Sequence, residues 1–465
     1  MTAYAKGFRT LPEERHVESL PVRGRIPDWL DGTLIRNGPA CFEDTRPALR
    51  HWFDGLAMVH AFTFSGSRVS YRNKYLESSA RRSVAATGVL RHSQFATDPC
   101  GSYFGRVFSF FLRRAKVPNA NVNVALIGGR TLALTEVPLA VQFDPTTLRT
   151  VGVTPLGDRE TRHATAHPHV DPETGDAITF ALKFGKNSEY RVYRHGTHSS
   201  SPELVCAIPW QLPGYVHSFA ITARHVVLVV FPFVVDPLTL LLRRKPFIEN
   251  YRWRPDLGTG IVVVETKTGR VVGRHTTEPF FCFHHVNAWE EGDDIVFDLC
   301  AYDDASVIDS LYLDRLTTTG GVPLAHPRRY RVRDGRISFR QLGSASLELP
   351  RINHAATHTR PHSYCYGVGS RAEDGRDFLD QLVKLDTRTG VATTWYEPGR
   401  YPGEPVFVAA PEGSAEDAGV LLSVVLDPGQ NRSFLLVLDA ASLREIGRVV
   451  VPHAIPFGFH GLYTT

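Results

Sequence analysis

Gly260-Ile-Val-Val-Val-Glu265-Thr-Lys-Thr-Gly269 is the stretch that decides how this chain folds. Four β-branched residues in succession suit a strand buried on both faces. The segment that follows is turn chemistry. Acidic and Thr side chains bond the backbone two residues on, and Gly supplies a positive φ. The pattern is a strand running into a hairpin turn.

Working outward, the same turn recurs at Asp144-Pro-Thr-Thr-Leu148, Asp171-Pro-Glu-Thr-Gly175, Asp386-Thr-Arg-Thr-Gly390 and Asp439-Ala-Ala-Ser-Leu443. Comparable apolar runs lie at Arg224–Pro232, Asp294–Leu299 and Gly419–Asp427, while helical periodicity is scarce. One hairpin type repeating along an all-β chain favours a propeller over a sandwich. Blades of about 50–65 residues divide the 465 residues into roughly seven. No linker breaks the chain, so a single unit over residues 1–465 is expected.

Composition narrows the function classes. The chain is 43% hydrophobic and 22% charged with a net charge of +4, which points to a globular protein and gives no reason to expect nucleic acid. Its six cysteines (Cys41, Cys100, Cys206, Cys282, Cys300, Cys365) form no Cys-x-x-Cys pair, which argues against a zinc ribbon or a redox motif. The first ten residues lack an apolar signal core, and no run of about 20 apolar residues exists to span a bilayer. A reducing cytoplasm is the expected compartment.

Four histidines stand in apolar contexts: Thr-Ala-His167-Pro, Val-His217-Ser-Phe, Phe-His284-His285-Val and Phe-Gly-Phe-His460-Gly. They lie 50, 67 and 176 residues apart, so only a closed long-range fold can join them. A propeller does so when each sits on the innermost strand of a different blade. Neutral imidazoles suit Fe, Zn or Cu, and four of them leave an octahedral ion two open positions. Three glutamates also occupy apolar surroundings: Glu136, Glu348 and Glu404. Buried carboxylates need partners, and the outward N–H of a metal-bound imidazole is a suitable one. Spacing alone does not rank the chosen four above His51, His60, His163, His169 or His285.

Several ordered motifs resemble the carotenoid cleavage oxygenase family along essentially the whole chain. They are Ile26-Pro-Asp-Trp-Leu-Asp-Gly-Thr-Leu-Ile-Arg-Asn-Gly-Pro39, His51-Trp-Phe-Asp-Gly55, Ala166-His-Pro-His-Val-Asp-Pro-Glu-Thr-Gly175, Phe283-His-His-Val-Asn-Ala-Trp-Glu-Glu291, Glu404-Pro-Val-Phe-Val408 and Val451-Pro-His-Ala-Ile-Pro-Phe-Gly-Phe-His-Gly461. The resemblance implies a seven-bladed β-propeller with an axial metal site and a loop and helix cap over one face. It implies Fe(II) held by His167, His217, His284 and His460, with Glu136, Glu348 and Glu404 behind them. His51 and His60 fall in scaffold motifs, His163 and His169 are set aside for the same reason, and His285 becomes a neighbour.

The implied activity is oxidative cleavage of a C=C bond, with O₂ as co-substrate, into aldehyde or ketone products. The implied substrate is an apolar carotenoid or apocarotenoid. Family alternatives are a stilbene-cleaving dioxygenase or a retinoid isomerase. Stilbene-cleaving members carry a lysine where this chain has Thr135, a departure that favours a polyene. A bilayer-soluble substrate implies peripheral contact with a membrane surface. Phe95–Lys116, ending in Arg113, Arg114 and Lys116, and Phe231–Lys245, ending in Arg243, Arg244 and Lys245, have the aromatic and cationic character of interfacial anchors.

Overall fold

In the computed structural model, the described residues are 2–98, 117–197, 199, 201–242, 245–318, 321–372 and 377–465. Among them are seven antiparallel sheets of four or more strands, arranged as the blades of a propeller, and one extra two-stranded hairpin. Blade 1 contains Gly32–Cys41, Leu56–Ser65 and Arg68–Tyr75. Blades 2 to 7 follow in chain order within residues 123–155, 163–209, 220–277, 281–341, 348–396 and 401–450.

The Val-rich runs are explained by burial on both sides. On strand His225–Val230 of blade 4, Val226, Leu228 and Val230 pack against blade 3 through Ile178, Phe180 and Leu182. Val227 and Val229 face the other way, into the cluster that includes Phe297 and Leu299 of blade 5. A strand between two blades has no solvent face, so apolar residues run on without alternation. Polar alternation returns on the outermost strand of that blade, Val271–Thr277, which is buried on neither face.

The repeated turn has one conformation. Asp144, Asp171, Asp386 and Asp439 each accept a backbone N–H two or three residues on, at 2.6–3.3 Å. The fifth residue is left-handed in all five turns: Leu148, Gly175, Gly269, Gly390 and Leu443 have φ between 54° and 75°. Four of the turns join the third and fourth strands of blades 2, 4, 6 and 7, whereas Asp171 opens the inner hairpin of blade 3.

The ring is closed twice. Gly461–Thr464 pairs with Gly32–Cys41 in blade 1, with Arg36 opposite Gly461 and Thr33 opposite Thr464. Val22–Gly24 pairs with Glu445–Val450 on the outer edge of blade 7. The approach to the C-terminal strand is itself fastened. Phe457 N–H donates to Gly7 O at 2.8 Å, Phe459 N–H to Asn37 O at 3.0 Å, and Trp52 Nε1–H to Phe457 O at 3.1 Å. The glycines of Phe-Gly-Phe-His-Gly are needed for this close approach. A Cβ on Gly38 would sit 2.4 Å from Gly458 Cα.

The cap over one face is minor. It is made of short helices inserted between strands, among them Ser79–Thr87, Pro237–Leu242 and Ser306–Ser310. No helix among the described residues is long and apolar enough to cross a membrane. Of the two candidate interfacial segments, residues 99–116, with Cys100, Arg113, Arg114 and Lys116, lie outside the described residues, as do Arg243 and Arg244.

Gly38→Ala is expected to destabilise the protein by about 1–3 kcal/mol, because an added methyl must displace a packed backbone. Denaturant unfolding checks this, and an unchanged midpoint would contradict the described closure.

Candidate metal centre

All seven blades send one polar group toward the axis. Blade 3 supplies His167, blade 4 the adjoining His217, blade 5 His284, and the strand closing blade 1 is preceded by His460. The remaining three blades supply the glutamates: Glu136 from blade 2, Glu348 from blade 6 and Glu404 from blade 7.

The four histidines offer ring nitrogens that all lie within 4.8 Å of one another. His167 Nε2 is 2.9 Å from His217 Nε2, and His284 Nε2 is 3.0 Å from His460 Nε2. The outward nitrogens of three rings face carboxylates. His217 Nδ1 is 2.7 Å from Glu136 Oε1, His284 Nδ1 is 2.5 Å from Glu348 Oε2, and His460 Nδ1 is 2.7 Å from Glu404 Oε1.

That pairing fixes the protons. Ionised Glu136 and Glu404 accept, so His217 and His460 carry the hydrogen on Nδ1 and present Nε2 as a bare lone pair. Bare nitrogens at about 3 Å repel unless a cation lies between them. Burial pushes His167 and His284 well below the usual histidine range and His460 to about 3, which disfavours an imidazolium in the cluster. Metal–nitrogen bonds of about 2.1 Å at right angles have an edge of about 3.0 Å, whereas a tetrahedral site needs about 3.4 Å. The donor set, four imidazole nitrogens, fits a transition-metal ion such as iron, zinc or copper.

The carboxylates differ in their surroundings. Burial alone would raise Glu136, but the facing His217 outweighs it, and Tyr215 adds a hydroxyl donor at 2.7 Å. Glu404 is fully buried and is held well below the carboxylate range by Arg351 and Arg36 despite its desolvation. It accepts from Arg351 Nε at 2.8 Å, from Gly461 N–H at 3.0 Å and from Arg36 Nη1. Burial pushes Glu348 up to about 7, and no guanidinium among the described residues pairs with it. Its Oε2 also accepts the Leu349 N–H at 2.8 Å, on a residue with φ of 49°.

One side of the cluster opens into a cavity of about 600 Å³. His217, His284, His460, Glu136 and Glu348 reach its wall, to which Trp52, Phe53, Phe95, Phe184, Phe247, Phe283, Phe378 and Phe459 contribute aromatic surface. Thr135 lines it beside Glu136, and Pro237, Leu240 and Lys245 line it from the second candidate anchor.

The other singled-out histidines have different partners. His51 Nδ1 accepts the Phe53 N–H at 3.1 Å, and its Nε2–H donates to Ile308 O at 2.9 Å. His60 bonds the Tyr71 hydroxyl at 2.9 Å, and His285 bonds Ser218 Oγ at 2.9 Å. His163 lies on the cavity wall. Sequence reasoning missed Arg36, Arg351 and Tyr215. Arg36 was the most detectable, as a lone cation inside the apolar run Thr33-Leu-Ile-Arg-Asn37.

Comparison with known proteins agrees with this architecture. The sequence model of the retinal pigment epithelial membrane protein (RPE65) family matches residues 8–465. A mitochondrial carotenoid-cleaving dioxygenase of Mustela putorius furo is 32% identical, with 98% of this chain and 95% of that protein aligned. A carotenoid isomerooxygenase of Galleria mellonella is 31% identical over 97% of this chain and 94% of that protein. Among solved structures, a cobalt-substituted Synechocystis apocarotenoid oxygenase (ACO) superposes with a TM-score of 0.89 at 28% identity, covering 100% of this chain and 98% of the other. An ACO/RPE65 chimera gives 0.89 at 27%, with the same coverage. A propeller with four axial imidazoles, matched in sequence from one end to the other, belongs to the carotenoid cleavage oxygenase family.

Proposed function

We propose that this chain is a non-heme iron(II) dioxygenase that cleaves a C=C bond of a carotenoid or apocarotenoid into two carbonyl products. His167, His217, His284 and His460 are the proposed iron ligands. The observation that carries this reading is the convergence of four ring nitrogens within 4.8 Å of one another, with three of the rings at the wall of an aromatic-rich cavity. Relatives named as carotenoid-cleaving dioxygenases support the reaction class. The functional unit is then the whole of residues 1–465, since every blade supplies one group to the centre.

Bound ferrous iron supplies the redox chemistry that lets O₂ react with an alkene. The side chains do the rest. Glu136, Glu348 and Glu404 hold three imidazoles in orientation, and Glu136 and Glu404 place negative charge one layer out from the ligand set. Phe53, Phe283 and Phe459 present ring surfaces that position a conjugated chain and keep water out. Thr135 offers no cation to a phenol, which favours an apolar polyene over a hydroxystilbene.

We also read the cavity mouth as facing a membrane surface. Support comes from Leu238, 61% exposed, between the cavity-lining Pro237 and Leu240. Peripheral attachment there would let a bilayer-soluble substrate enter without crossing water.

His284→Ala should lose stoichiometric iron and turnover while remaining folded, as measured by elemental analysis and circular dichroism. Full iron retention would exclude His284 as a ligand. Glu136→Gln should weaken metal binding or activity by roughly 10- to 100-fold with little change in stability. Glu404→Gln should in addition destabilise the fold by about 3 kcal/mol, because it strands Arg36 and Arg351. Equal unfolding midpoints for the two variants would contradict that difference.

Iron-loaded protein assayed under ¹⁸O₂ with β-carotene, an apocarotenal and resveratrol should yield labelled aldehydes from a polyene. Products without label would indicate an isomerase, and cleavage of resveratrol alone would indicate the stilbene branch.

A further inference from the structure

We propose that His169, His354 and His358 form a second site, for a divalent transition metal of the zinc class, on the face of the propeller opposite the cavity. Three residues of blade 3 set the direction. His163 lines the cavity, His167 belongs to the axial cluster, and His169 lies two residues farther on.

His169 Nε2 is 2.8 Å from Phe219 O. A carbonyl only accepts, so Nε2 carries the proton and Nδ1 is a lone pair. That Nδ1 lies 3.3 Å from His358 Nε2, with the two ring planes 15° apart. That separation is a long hydrogen bond, with His358 Nε2–H as the donor. It agrees with the edge of about 3.4 Å expected for two nitrogens on a tetrahedral ion with bonds of about 2.05 Å. The axial pairs are closer, at 2.9 and 3.0 Å.

The third imidazole comes from the same helical turn as His358. His354 and His358 are four residues apart across helix His354–Thr357, whose start is capped by the Asn353 side chain. That spacing puts both rings on one face, with centroids 5.2 Å apart. His354 is exposed, and binding would require its side chain to rotate toward the His169–His358 pair. Three imidazoles and a water complete a tetrahedral zinc site. The bound ion would tie blade 6 to blade 3, and none of its ligands belongs to the axial cluster.

The test uses full-length, iron-loaded protein exposed to Zn(II), desalted and analysed for both metals. Wild type should retain one further equivalent of zinc beside its iron. The double variant His354→Ala/His358→Ala should lose that zinc and keep the iron, so its iron content reports that the fold and the axial centre are intact. Co(II) in place of Zn(II) should give tetrahedral visible absorption in wild type and none in the variant. Wild type that retains no zinc, or a double variant that retains the same amount, would overturn the proposal. Because the two metals are counted separately, its failure is distinguishable from failure of the iron assignment.

Discussion

The carboxylate of Glu404 is the interaction on which most of this structure turns. It is fully buried, ionised, and accepts from His460 Nδ1, Gly461 N–H, Arg351 and Arg36. Through Gly461 and Arg36 it fastens the strand that closes the ring. Through His460 it sets the orientation of an axial imidazole. A buried charge is tolerated only when its lone pairs are filled, and here they are filled by groups from blades 1 and 6. Closure of the propeller and assembly of the centre are therefore parts of one event.

The division of labour around the axis has a similar logic. Four blades present imidazoles and three present carboxylates, and each carboxylate serves an imidazole from another blade. No blade holds a complete ligand with its support, so the centre exists only when the ring is assembled. The hydrophobic clusters between neighbouring blades carry that assembly, with interdigitating strands such as Ile178–Phe180–Leu182 against Val226–Leu228–Val230. Nonlocal apolar packing supplies the stability, while the polar axis specifies geometry.

His167 stands apart, with no carboxylate among its described contacts. Its backbone N–H donates to Thr165 Oγ1 at 3.0 Å, and Thr165 Oγ1–H donates to His217 O. Blade 3 thus aligns its histidine through the main chain of blade 4. The carboxylates themselves span a range, from Glu404 with two guanidinium groups to Glu348 with none. Ligand positions that look equivalent around the ring are electrostatically distinct.

Much of this was legible in the sequence, for local reasons. Strand runs and hairpin turns are written in contiguous residues, because pleat burial and left-handed φ are local demands. Asp386-Thr-Arg-Thr-Gly390 was readable on sight. Leu148 and Leu443 in left-handed positions were not marked as such by residue type. Four histidines and three glutamates in apolar settings were visible as anomalies, because buried polar groups require partners. Which carboxylate meets which imidazole was not visible. Nor were the two arginines on Glu404 or the meeting of His169 with His358, since each joins residues from different blades. Those contacts were decided by the tertiary structure alone: closing a ring of seven sheets sets distances between residues that no local rule connects.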